Sequence, residues 1–105
     1  MYKLCFFVPK SHLASVKDAL FEQGAGQLGD YERCAWQVLG QGQFRPLVGS
    51  KPFLGEVGDN HGVDEYRVEM VVTAERIKPV LESLLSVHPY QQPAYEYWQI
   101  NPSLD

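Results

Sequence analysis

The chain has 105 residues, 45% hydrophobic and 21% charged, which allows one domain with one core and excludes an intrinsically disordered protein. Its formal net charge of −4 argues against a nucleic-acid partner, because phosphate binding needs a basic surface to displace counterions. No segment has the length of a membrane span or the layout of a signal peptide, so no membrane contact is expected and the cytoplasm is the expected compartment.

Residues 2–8 are rich in aromatic and β-branched types and predict a strand. Tyr2, Leu4, Phe6 and Val8 share one face and Lys3, Cys5 and Phe7 the other, so both faces are largely apolar and the strand is expected inside its sheet. Ser11 can cap a helix over about 12–23, whose apolar positions are Leu13, Val16, Ala19 and Leu20, with Gly24 fitting its left-handed end. The run Gly24-x-Gly26-x-x-Gly29 matches a dinucleotide fingerprint, but a helix precedes it and a strand follows. That order is the reverse of what a pyrophosphate cradle needs, so a helix cap and turn is the better reading.

A second strand is expected over 30–39, with Glu32, Cys34, Trp36 and Val38 on one face. Cys5 and Cys34 read as small apolar side chains of a reducing compartment, and spacing alone leaves a disulfide open. Six glycines and two prolines between 40 and 62 predict a long irregular loop, with room for a short strand near Gln43–Leu47. Loops of that length in small domains are usually functional. Gly40, Gly42, Phe44 and Arg45 are therefore candidate ligand contacts.

The next strand, 64–72, alternates cleanly and puts Arg67 and Glu69 on one face, where they serve as a charge pair, a ligand contact or a solvated surface. Thr73 is a candidate cap for a second helix, whose stripe is Ile77, Val80, Leu81, Leu84 and Leu85. Pro79 conflicts with a helix starting that early: either its first turn is distorted or it begins later. His88-Pro89 and Gln92-Pro93 end the helix, and a last strand is expected over about 94–100. The order β-α-β, Gly-rich excursion, β-α-β predicts an α+β ferredoxin-like plait, with both helices on one face of an antiparallel sheet.

Several ungapped motifs carry a family resemblance over nearly the whole chain. The run Gly24-Ala-Gly26-Gln-Leu-Gly29-Asp-Tyr31-Glu-Arg-Cys34 resembles the start of the insert domain of the YqfO (Nif-three-like) family. So does the loop Gly40-x-Gly42-x-Phe44-Arg45-Pro46-x-x-Gly49-x-x-Pro52-x-x-Gly55-x-x-Gly58, followed by Glu65-x-Arg67-Val68-Glu69. The tail His88-Pro89-Tyr90-Gln91-Gln92-Pro93-Ala94-Tyr95-Glu96 is similar to that family's H-P-Y-E-E-P-A-Y-D segment and, in part, to the CutA proteins.

This resemblance implies a domain of 1–105 related to CutA and the PII signalling proteins, which usually assemble as trimers. It implies a free-standing copy of the insert, without the larger domain that carries the family's dinuclear metal site. It also keeps a divalent metal ion in view, with His88 and Glu96 as candidate ligands and His61 as an additional nitrogen. Gln91 and Gln92 replace the paired acids of the family and remove two anionic oxygens from that segment.

The reading that follows is a non-catalytic homo-oligomeric module, trimer favoured over dimer, that binds a small-molecule effector or a metal ion. A structural protein-interaction module and a remnant of a metal-dependent, cyclohydrolase-type hydrolase are the alternatives. Among catalytic groups, Cys34 lacks an evident base beside it.

Overall fold

A computed structural model describes residues 1–103. Its elements run β1 (Tyr2–Pro9), α1 (Lys10–Glu22), β2 (Trp36–Phe44), β3 (His61–Val72), α2 (Ile77–Val87) and β4 (Tyr95–Gln99). The four strands form one antiparallel sheet in the order β2-β3-β1-β4. This is the ferredoxin-like plait, and β1, apolar on both faces, takes a central position in it.

Alternation sorts the side chains. Leu4, Phe6 and Val8 of β1 and Val68, Met70 and Val72 of β3 point to the helical side. There they meet Val16 and Leu20 of α1 and Val80 and Leu84 of α2 in one buried cluster. Each such side chain contributes roughly 1.5–3 kcal/mol on leaving water. The opposite face carries no helix. Phe7, Arg67, Glu69, Trp36, Val38, Glu96 and Trp98 lie on it, and Trp36, Val38 and Trp98 remain well exposed.

Both caps predicted from Ser11 and Thr73 are corrected. Helix α1 follows β1 directly, with Pro9 in the capping position, and the Ser11 hydroxyl bonds to His12 Nδ1 at 2.8 Å instead. Between Thr73 and α2 lies a turn closed by the Arg76 N–H on the Thr73 carbonyl at 3.1 Å, so α2 starts at Ile77. The later start resolves Pro79. The first backbone bond of that helix is Val80 N–H to the Arg76 carbonyl at 3.0 Å, one residue beyond the proline, whose missing N–H would have had no partner.

The second strand also shifts, from the expected 30–39 to Trp36–Phe44, and absorbs the short strand expected near Gln43. Cys34 consequently lies outside the strand and half-buried, and both thiols are free. The glycine run after α1 forms the turn expected of it. Gly24, Gly26 and Gly29 have φ of 98°, 78° and 56°. Gly26 then bridges two elements: its N–H bonds to the Val71 carbonyl at 2.8 Å and its own carbonyl accepts from Cys34 N–H at 2.9 Å.

β3 is longer than its neighbour β1. Pairing with β1 stops at Glu65, opposite Pro9, whereas β2 follows β3 all the way to His61. The β2–β3 hairpin therefore extends past the sheet, and the molecule measures 50 × 23 × 23 Å. Among the described residues no helix is long and apolar enough to cross a membrane.

Candidate functional site

The end of the sheet at which β1 gives out is roofed by two irregular segments, the Gly-rich loop 45–60 and the turn 88–94. They are tied together across the opening by Lys51 N–H on Gln91 Oε1 at 2.8 Å. Beneath them is a cleft of about 310 Å³, within the size range of small-molecule sites. Its walls are aromatic: the Phe44 and Phe53 rings lie 6.4 and 6.2 Å from the Tyr90 ring, tilted by 49° and 46°.

All three histidines of the chain stand behind these rings. His61 packs on Phe44 at 5.3 Å, His12 on Phe53 at 5.4 Å and His88 on Tyr90 at 4.9 Å. His88 is the buried one. Pairing of β1 with β4 ends at Phe6–Tyr95, which leaves the Phe7 carbonyl without a strand partner. His88 Nε2 takes that carbonyl at 2.6 Å, while its Nδ1 accepts the Tyr90 N–H at 3.1 Å. These two bonds require the neutral ring with the proton on Nε2. Burial lowers the pKa of His88 and so favours that same neutral form, a tendency only partly offset by the Phe7 bond.

The polar end of the cleft is Glu65. Tyr90 Oη donates to its Oε2 at 3.3 Å, and burial pushes its carboxyl above the ordinary glutamate range, the Tyr90 bond acting weakly the other way. Burial, with the Glu65 carboxylate beside it, pushes the Tyr90 hydroxyl up to about 12. The carboxylate lies over Gly42: a Cβ built there would stand 2.8 Å from Glu65 Cδ. Gly42 is thus a strand glycine that leaves room for an acid from the neighbouring strand.

The sequence candidates divide accordingly. Phe44 lines the cleft. Gly40, Gly42 and Arg67 line a second hollow of about 330 Å³ on the open face, which shares Phe7 and Glu65 with the first. Glu69 faces Arg67, Nε to Oε2 at 3.5 Å, an exposed guanidinium on a half-buried carboxylate. Arg45 reaches away from the cleft to Asn60 Oδ1 at 3.2 Å.

The three metal candidates are not brought together. His88 has both nitrogens on backbone groups, His61 backs Phe44, and Glu96 is exposed on β4 opposite Cys5. Among the described residues no group of three His, Cys, Asp or Glu side chains is placed to hold a metal ion.

The fold is a plait of the type found in NIF3-related and CutA proteins. Over 95% of its length the chain is similar, at 42% identity across 100 residues, to the GTP cyclohydrolase 1 type 2 homolog of Mycobacterium leprae, covering 26% of that protein. A Bacillus cereus protein related to NIF3 superposes with a TM-score of 0.81 at 31% identity, over 95% of this chain and 25% of that one. The divalent cation tolerance protein CutA from Archaeoglobus fulgidus superposes over 99% of this chain and 88% of its own, with a TM-score of 0.69. At 15% identity that likeness shows the fold alone. No family model matches the chain. The chain spans about a quarter of the length of the relatives it matches by sequence.

Proposed function

We propose that this chain is a non-catalytic, homo-oligomeric binding module of the YqfO/NIF3 type, whose ligand is a small molecule held in the roofed cleft. The observation that carries the reading is the cleft itself, walled by Phe7, Phe44, Phe53 and Tyr90, with Glu65 as its charged group and glutamine side chains at its rim. Apolar walls with a few convergent polar groups are the usual build of a small-molecule site. The self-partner is argued from the open sheet face, where Trp36, Val38 and Trp98 stay exposed on a surface that a second copy would cover. Three copies are favoured over two on the resemblance to CutA and PII proteins, and a reducing, cytoplasmic setting accords with two unpaired thiols.

The divalent-metal reading draws on the name of CutA as a divalent cation tolerance protein. It is the weaker one here, because a metal on His88 would have to break the ring's bond to Phe7 or to Tyr90. A hydrolase reading rests on the cyclohydrolase homologs, of which this chain represents about a quarter.

Native mass spectrometry of untagged protein, purified without chelator, tests the proposal. A trimer carrying an organic mass that Phe53→Ala protein no longer retains is the expected result. A bare monomer overturns it, and a retained divalent metal with turnover favours the hydrolase.

A further inference from the structure

Resting on the cleft as the binding site, we propose that its occupant is a compact ring-bearing organic cation, of aryl-amidinium or aryl-ammonium type. Its N–H donors face Glu65 and its ring lies among Phe44, Phe53 and Tyr90.

The charge of the polar end decides the class. Glu65 spends one carboxylate oxygen on the Tyr90 hydroxyl and keeps the other over Gly42, where no side chain intervenes. Among the described residues Glu65 forms no ion pair. Arg67, two positions along the same face, turns its guanidinium to Glu69 and to the Phe7 ring, 6.0 Å from the ring centre. The half-buried acid therefore has acceptor capacity and no cation of its own, and a donor carrying positive charge gains most from it. The walls agree. Two rings tilted against a third form a concave π surface, and π faces attract cations, most strongly where water is excluded. An anionic ligand would set like charge beside Glu65, and a long flexible one would exceed about 310 Å³.

Three near-isosteric probes separate these possibilities: benzamidinium, benzamide and benzoate, titrated into the full chain and followed by backbone amide NMR shifts. Benzamidinium is expected to shift residues around Phe44, Phe53, Glu65 and Tyr90 and to bind about tenfold more tightly than benzamide. Benzoate is expected to be the weakest. Glu65→Gln, which keeps the shape, should bring benzamidinium and benzamide to about equal affinity. If benzamide matches or exceeds benzamidinium at the same residues, the cation class is wrong and the cleft stands as a site for neutral rings. If no probe shifts those residues at millimolar concentration, the cleft reading itself falls and this inference with it.

Discussion

At the scale of single residues, His88 and Glu65 are two titratable groups pulled in opposite directions by the same burial. His88 has its folded pKa below the unfolded value of about 6.5, so its contribution is complete above that pH and is lost as pH falls through the folded pKa. Glu65 has its folded pKa raised above about 4.3, so stability is complete in acid and declines as pH rises through the folded value. Glu65→Gln is therefore expected to raise the urea midpoint at pH 7 and leave it unchanged near pH 4. An equal rise at both values would mean that the acid is not desolvated. His88→Ala removes the partner of the Phe7 carbonyl and should cost about 1–3 kcal/mol in urea unfolding at pH 7.5. It should also flatten the loss of stability between pH 7 and pH 5. A fully stable variant would show that the carbonyl finds water instead.

Secondary-structure elements show what the sequence could and could not disclose. The inner strands and the two helical stripes were legible because hydrophobic burial imposes a period, as in Tyr66, Val68, Met70 and Val72. β2 was displaced by several residues because it is an edge strand, exposed along nearly all its length, and carries no such period. Gly40 and Gly42 look like loop residues in the sequence, yet they lie in β2. Only the register with β3, which lays the Glu65 carboxylate over Gly42, explains a glycine there.

The site was legible to the same degree. Composition pointed to Phe44 and the Gly-rich loop as candidates that line this cleft, whereas Glu65, Phe53 and Tyr90 converge there only through pairing between distant segments. Gly26 makes the element-scale prediction. With φ at 78° and a Cβ position 2.7 Å from the Cys34 carbonyl oxygen, Gly26→Ala forces backbone apart. It should cost about 1–3 kcal/mol by thermal or urea unfolding, and a neutral result would mean that the 27–35 segment is held in some other way.

For the whole molecule, the uncovered sheet face is the dominant feature. Trp36, 57% exposed on the edge strand, stands among the largest apolar groups offered to a partner copy. In the proposed homo-oligomer, a charge placed there should dissociate the copies without unfolding the subunit. Trp36→Lys is expected to elute as a monomer with an unchanged far-UV spectrum, a loss of about 2 kcal/mol or more per interface. An oligomer of unchanged mass would move the contact to another surface.

The unequal lengths of β1 and β3 have a mechanical consequence. From Glu65 inward, β3 is braced by strands on both sides, and from Asp64 outward by β2 alone. A two-stranded ribbon is marginal on its own, so the outer hairpin leans on the ties of its loop, Lys51 N–H to Gln91 Oε1 and Phe53 on His12. Glu65 sits at the step between the two regions, and so does the cleft. A molecule bound at that step would lend contacts to the part of the hairpin that has the fewest strand partners.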